Sequence, residues 1–510
     1  MADCDYARFT TRSGRAYALC RKVAVYALQL PAAILAAMQQ EAATDVCFAS
    51  EQSFTPVPAV CIHRRADSGD ELPYSSPSES TEALQLNPSA CDPSSTSKKR
   101  KRVVDEPPYS SPSDSTEASQ VNPSACDPSS TSKKRKRAAG VPLSRHLRSI
   151  RREEEFAAHG HGANDKRRSK IATQAAVEGT DLGLKELPAA NGAYEARREE
   201  ECEGRAYTLD EAKALGLKVF HWDGRQPVAF VAPDDTVFMV LAGRPNDADY
   251  DAAASRVYEA FRKESDSVQF TGKYAGSRRG VFSVINVGVS RGQGLAEPVY
   301  LGCHSHEKLV SALLKNKDVQ RMASYASAAF ATWAPRTYNY YKTQLDKLFH
   351  HMNHLPRIFR RSIFPAAAFN LGPSVVTFRH RDMKNCPFGM CSIQALGKFD
   401  PTKGGHLIVW ELGLIIKFPA GSTILLPSAT LSHSNVTIGK DEERASFTQF
   451  CHGGLFRWVD YGFQTEKSLC ESNPTLYAEV CRLRPQRWQV GLNLLSTLDE
   501  LKCGGFDSGV

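Results

Sequence analysis

The sequence predicts an α+β protein whose core is an antiparallel double-sheet barrel with helices packed on one side. Three observations predict it. Between Ser374 and Phe450, six short runs rich in β-forming residues follow one another with no helical pattern between them. Turn signals such as DPTKGG (Asp400–Gly405) and PAG (Pro419–Gly421) separate several of these runs. Ahead of them, His306–His351 carries a helical pattern. Close-spaced strands of this kind close into the jelly-roll or cupin type of barrel, a double-stranded β-helix, and the helices become its buttresses.

The chain has 510 residues, too many for one compact core and suggestive of two or three regions, and its composition divides it into four spans. Residues 1–50 form a segment of uncertain character. Its apolar run Val23–Met38 is broken by Gln29 and Pro31. No stretch reaches the ~18–20 uninterrupted apolar residues that a bilayer crossing needs, so no membrane association is expected. Residues 51–206 read as a disordered, Ser/Pro-rich and basic linker. Within it PYSSPSESTEALQLNPSACDPSSTSKKRKR (Pro73–Arg102) returns almost unchanged as Pro108–Arg137, a 35-residue period. Two copies dominated by Ser, Pro, Thr and Asn cannot bury a continuous core, so the repeat is a duplicated linker and not a solenoid.

Each copy ends in KKRKR, at Lys98–Arg102 and Lys133–Arg137. Five consecutive cations in such a setting are expected to meet nuclear import receptors or a polyphosphate, and they place the protein in the nucleus. Arg145–Arg152 and Lys166–Lys170 extend the positive tract, which could follow a nucleic-acid backbone. The overall excess of 64 Lys+Arg over 56 Asp+Glu is mild, so the placement of charge says more than its total. The 14 cysteines form no CxxC pair, which excludes a zinc module or redox dithiol of that spacing. A disulfide framework does not suit a chain of this size, so a reducing compartment is expected, with Cys386, Cys391 and Cys451 as buried structural thiols.

The folded domain is expected over 207–465. TLDEAKALGL (Thr208–Leu217) reads as a helix with Thr208 as N-cap and Glu211 completing a capping box. KVFHW (Lys218–Trp222) and TVFMVLA (Thr236–Ala242) read as strands. Within the helical stretch, Ala334-Pro335 breaks the pattern and starts a new helix. The strand runs are SVVTFRH, CSIQALGKF, HLIVWEL, LIIKF, STILLPS and RASFTQF. A C-terminal tail, 466–510, is expected to hold helices around Pro474–Arg482 and Trp488–Leu501.

His380-Arg381-Asp382 lies where the run SVVTFRH ends. Residues i and i+2 of a strand share a face, so an imidazole and a carboxylate converge there. His433, 51 residues after Asp382, can supply a third ligand. Two His and one carboxylate on one face form the facial triad of non-haem Fe(II) oxygenases, which leaves coordination positions open. Arg444, 11 residues beyond His433 at the start of RASFTQF, can pair bidentately with a carboxylate such as that of 2-oxoglutarate.

From about Thr208 to Phe463, roughly half the chain, the sequence resembles the TET/JBP family of Fe(II)/2-oxoglutarate-dependent nucleic-acid base dioxygenases. It resembles more closely their basidiomycete, transposon-associated branch. The stretch that carries this is HRDMKN…GMCSIQALGKFDPTKGGHLIVWEL…FPAGSTILLPSATLSHSN…ERASFTQF…GGLFRW. The resemblance implies His380, Asp382 and His433 as iron ligands, with Arg444, Ser446 and His406 holding 2-oxoglutarate. It implies Asn385, Phe450 and His452 as the residues that meet the target base. Its cofactors would be Fe(II) and 2-oxoglutarate, with O₂ as cosubstrate. Its partner would be DNA, and its reaction oxidation of the methyl group of 5-methylcytosine or thymine, as in DNA demethylation. The Cys-rich zinc-binding region of animal TET enzymes has no counterpart here, so DNA is expected to engage other surfaces, Arg278-Arg279 among the candidates. Two other readings stay open from sequence: the same iron chemistry on RNA or a protein side chain, and an inactive transposon-derived DNA-binding protein.

Overall fold

A computed structural model describes residues 6–10, 16–20, 145–161, 165–198, 204–292, 294–302 and 304–504. The repeat and both KKRKR clusters lie outside the described residues. The chain divides into two units, 1–139 (with 510) and 140–509. In the first, β1 (Tyr6–Thr10) and β2 (Ala16–Cys20) pair antiparallel as a hairpin.

The second unit is α+β, as expected, and is built on two sheets. The larger has nine strands. In spatial order they are β3 (Ala176–Gly179), β5 (Val228–Val231), β6 (Val237–Gly243), β13 (Thr423–Leu426), β10 (Cys391–Lys398), β15 (Glu443–Phe450), β9 (Ala366–Leu371), β7 (Ser283–Ser290) and β8 (Val299–Leu301). The smaller sheet runs β14 (His433–Asn435), β11 (Leu407–Val409), β12 (Leu414–Ile416) and β4 (Lys218–Phe220). After β10 the chain crosses to the small sheet for β11 and β12, and returns at β13. It crosses again for β14 and returns at β15, the connectivity of a jelly-roll.

Period-2 alternation sets the two faces of the large sheet. On β15, Ser446, Thr448 and Phe450 face a cavity, whereas Ala445 and Phe447 enter an apolar cluster behind the sheet. On β9, Ala368 and Asn370 face the cavity, and Ala367, Phe369 and Leu371 face that cluster. The helices Tyr250–Asp266 and Lys317–Trp333 cover it with Val257, Tyr258, Phe261, Val319 and Met322. The rings of Phe369 and Phe447 stack at 5.3 Å. Burying each such side chain stabilises the fold by about 2 kcal/mol.

Several expectations hold residue by residue. Thr208 caps the helix Leu209–Ala214 with Glu211 completing the box, and Pro335 is the first residue of Pro335–His351. Others are corrected. The linker does not extend to residue 206: Arg145–His159 and Asp165–Gln174 are helices, and β3 adds a parallel strand beside β5. SVVTFRH is not a regular strand but an extended segment held by isolated bridges, Ser374 to Arg444 and His380 to His433. The run Trp488–Leu501 is not one helix either. Arg487–Leu492 and Leu498–Cys503 flank a turn in which the Ser496 carbonyl accepts from the Val237 amide at 2.9 Å.

The C-terminal segment is therefore part of the core and not a tail. Leu492, Leu495, Leu498 and Leu501 are buried with the residues of β5 and β6. Leu501→Ala is expected to cost about 2–5 kcal/mol, read as a fall in denaturation midpoint at constant m-value. Deleting 488–510 should abolish cooperative unfolding, which calorimetry would show.

Candidate active site

A cavity of about 360 Å³ lies between the two sheets, lined by β7, β9, β10 and β15 on one side and β11 and β14 on the other. His380, Asp382 and His433 border it together. One ligand atom from each lies within 4.8 Å of the others, the only such group of three among the described residues. Two backbone hydrogen bonds build the cluster: the His380 amide donates to the His433 carbonyl at 3.1 Å, and the His433 amide returns the bond at 2.9 Å. Asp382 is anchored separately, its amide donating to the Ser428 carbonyl at 2.8 Å.

The imidazoles are oriented for ligation. His380 Nδ1 lies 2.7 Å from the Phe378 carbonyl, and His433 Nδ1 lies 3.1 Å from the Leu431 carbonyl. A carbonyl only accepts, so both Nδ1 atoms carry the hydrogen and both Nε2 lone pairs are free. Those Nε2 atoms stand 3.8 Å and 4.0 Å from the Asp382 carboxylate oxygens. Arg279 Nη2 approaches Asp382 Oδ1 at 2.8 Å without hydrogen-bond alignment, so that buried oxygen keeps an open lone pair. Burial opposes ionisation of Asp382, but Arg279, His380 and His433 outweigh it and hold the carboxyl below its ordinary range. Burial, followed by the neighbouring His433, pushes His380 well below the usual imidazole value. Two imidazoles with Nε2 turned toward one carboxylate fit a divalent iron.

Arg444 is among the largest fully buried side chains of the described residues. It shares the cavity face of β15 with Ser446, Thr448 and Phe450 by strand alternation. Gly397 sits opposite it, where a side chain would meet the Glu443 carbonyl at 2.1 Å, so the strands close tightly around this point. One guanidinium nitrogen donates to the Val375 carbonyl at 2.9 Å, while Nε and Nη2 find no partner. Burial alone pulls its pKa down to about 10, with no carboxylate to oppose it. A buried cation with two unused donors is costly unless an anion completes it. Ser446 lines the cavity nearby, its hydroxyl accepting from Asn370 Nδ2 at 2.8 Å.

Asn385, Phe450 and His452 also line the cavity, so the structure brings all three together. Asn385 bridges to His452 across paired backbone, and the Phe450 and His452 rings lie 5.1 Å apart. Burial lowers His452 to about 4. His406 is not brought in. Its neighbour Leu407 takes the inward position and Ile408 the outward one. By alternation His406 shares the outer face, where Lys213, His221 and Lys417 are its neighbours.

The sequence reading missed Asn286, Ser290, Asn370 and Thr448 as cavity residues. The period-2 alternation of SVINVGVS could have found the first two. Arg279, expected to face a phosphate backbone, instead faces Asp382. Also missed was a strap ahead of the expected domain. The Ala196 amide donates to the Met383 carbonyl at 2.9 Å, and Glu195 pairs with Lys384. Gly453 lies so close to the strap that a Cβ would meet the Tyr194 carbonyl at 1.9 Å.

No family model matches this chain, and no curated protein matches it. Solved structures do. NgTET1 in complex with 5mC DNA is similar at 15% identity and a TM-score of 0.35, over 48% of this chain and 88% of that one. A 2OG-Fe(II) oxygenase-family oxidoreductase from Burkholderia pseudomallei is similar at 16% identity and a TM-score of 0.23, over 41% and 91%. A C-terminally truncated Neurospora crassa protein, solved in apo form, is similar at 15% identity and a TM-score of 0.24, over 48% and 88%.

The electrostatics predict two outcomes. Arg444→Met should leave the thermal midpoint unchanged or raise it, because it removes an uncompensated buried charge, and should abolish 2-oxoglutarate binding measured by calorimetry. His380 and His452 are neutral in the fold but ionise near 6.5 when unfolded, so the unfolded chain binds more protons below that pH. Stability of the metal-free protein should fall as pH drops from 6.5 toward about 4. The part due to His452 is no more than about 3 kcal/mol, less because its ring borders an open cavity. Thermal melts of His452→Asn across that range should show the shallower slope.

Proposed function

We propose that this chain is an Fe(II)- and 2-oxoglutarate-dependent dioxygenase that oxidises the methyl group of 5-methylcytosine or thymine in DNA. The observation that carries the reading is Arg444. A fully buried guanidinium with two unused donors stands on the strand face that borders the His380, Asp382 and His433 cluster. A dicarboxylate with one end at Arg444 and the other at the metal answers both needs at once.

Iron with 2-oxoglutarate and O₂ supplies the power to oxidise an unactivated C–H bond. The protein does the rest. His380, Asp382 and His433 would hold the metal. Arg444 would bind a carboxylate of 2-oxoglutarate, and Ser446, oriented by Asn370, is placed to share it. The apolar wall of Ala368, Ile393 and Leu407 limits water in the cavity.

The substrate side follows from the same wall. A methyl group on a stacked base cannot reach a metal buried between two sheets, so the base must leave the helix. Phe450 offers a ring for it to lie against, and Asn385 and His452 offer polar contacts to its edge. The KKRKR clusters at Lys98–Arg102 and Lys133–Arg137 support delivery to the nucleus, where the substrate would be met.

Mass spectrometry of nucleosides after incubating the full chain with Fe(II), 2-oxoglutarate and 5-methylcytosine DNA tests this. Hydroxymethylcytosine should form with the intact protein, and Asp382→Ala should lower it at least ~10³-fold, the scale of removing a metal ligand from a catalytic centre. Succinate formation with no oxidised base would retain the iron and 2-oxoglutarate chemistry and reject the base as substrate. An iron-loaded, folded protein yielding neither product would reject both.

A further inference from the structure

Of the large apolar side chains left exposed among the described residues, only Leu295 also lines the cavity between the sheets. A side chain that is both exposed and part of the wall stands at the rim. A single exposed leucine is ordinary on a protein surface, so its position is what matters. Leu295 lies on the connection between β7 and β8. β7 ends at Ser290, whose hydroxyl is 2.5 Å from His452 Nδ1. The connection therefore leaves the sheet at the end of the cavity that holds Asn385, Phe450 and His452. Gly292 lies against Lys384, the residue before Asn385: a Cβ there would stand 3.8 Å from Lys384 Cδ.

The connection is held at its base. The Leu295 amide donates to the Gly292 carbonyl at 3.0 Å, which closes the turn. Arg291 is buried, and its Nη2 donates to the Ala296 carbonyl at 3.2 Å. Its Nη1 donates to the Gly454 carbonyl at 3.4 Å, and its Cζ lies 4.9 Å from the centre of the Trp458 ring. Gly454 is pressed so close that a Cβ would meet the Arg291 carbonyl at 2.5 Å. One guanidinium thus ties both ends of the turn to the segment that follows His452, and Leu295 becomes a fixed projection beside the base pocket.

A base that leaves a duplex opens a gap in the stack, and the duplex recovers its stacking and pairing if the base returns. An apolar side chain inserted into that gap replaces part of the lost stacking and obstructs the return. Leucine suits the task, since it brings no polar group that would need a partner between bases. We propose that Leu295 is a wedge that enters duplex DNA beside the target base and fills the space the base vacates. Arg291 is the positioning residue that sets the wedge at a fixed distance from the pocket. The inference rests on the base-oxidation reading above and adds that the base is taken from a duplex. An unpaired strand has no gap to hold open, so the wedge gives it no advantage.

The test uses the full chain and two substrates, a duplex with one 5-methylcytosine and the same strand unpaired. kcat/KM for oxidation is read on both. Fluorescence of 2-aminopurine placed next to the 5-methylcytosine reports unstacking when the duplex binds with Fe(II) and 2-oxoglutarate in the absence of O₂. Leu295→Ser and Leu295→Ala should lower kcat/KM on the duplex about tenfold or more, hold the single strand within about twofold, and lose most of the fluorescence rise. Leu295→Met, an apolar chain of similar volume, should restore both readings. Thermal midpoints should stay near wild type, because the side chain is exposed. Val281 is more exposed but forms no part of the cavity wall, so Val281→Ser should match wild type throughout. Equal losses on duplex and single strand would make Leu295 a pocket contact and overturn the wedge. So would an unchanged duplex rate, an equal duplex loss in Val281→Ser, or a wild type that oxidises only the single strand, each of which leaves base oxidation standing. A wild type that oxidises neither substrate overturns base oxidation and this inference with it.

Discussion

The site depends on one reciprocal pair of backbone hydrogen bonds, between His380 and His433. The two residues are far apart in sequence, and neither belongs to a long strand. β14 is three residues, and the segment ending at His380 is held only by isolated bridges. Exchanging both N–H···O bonds makes the two residues directly opposed, so their side chains leave the backbone on the same face. Everything else in the cluster follows from that pairing. Asp382 arrives two residues later on a turn anchored to Ser428, and the two Nδ1–H bonds to carbonyls rotate the rings into place. Charge is arranged after the geometry: the carboxylate is kept ionised by its cationic and imidazole neighbours, and His380 is kept neutral by burial.

The second constraint is the alternation of β15. Phe447 and Ala445 tie the strand to the helical layer behind the sheet, and that fixes which residues look forward. Arg444, Ser446, Thr448 and Phe450 have no choice of face once those two are buried. A one-residue slip would aim Phe447 at the cavity and turn the guanidinium into the apolar cluster. The large sheet thus positions the Arg444 guanidinium and the Phe450 ring with the same register.

Much of this was legible in the sequence because it depends on short-range pattern. Thr208 with Glu211, Ala334-Pro335, and the runs that became β10, β13 and β15 announce themselves by spacing and residue type. The metal cluster was legible because a His-x-Asp pair and a distant His are chemically distinctive. β7 and β9 were not read: SVINVGVS carries polar residues and glycine at its inward positions, and AAAFNL is rich in alanine, which suits a helix as well. The strap around Glu195 was hidden by its polar composition, since residues that pack through backbone bonds and ion pairing leave no apolar signature. His406 shows the opposite failure. It sits beside a strand whose direction was right, but which face it takes is decided by Leu407 and Ile408, and HLIVW alternates too little to say so.

The unpaired guanidinium of Arg444 has a thermodynamic consequence beyond catalysis. An anion that satisfies Nε and Nη2 binds the folded chain and finds no such pocket in the unfolded one, so occupancy adds stability as the logarithm of free ligand over its dissociation constant. At a hundredfold excess that is about 2.7 kcal/mol, a sizeable share of what a domain has in reserve. On the proposed function, the stability of the fold would follow the supply of a small metabolic dicarboxylate. Scarcity of that ligand would leave more of the chain in unfolded states open to proteolysis.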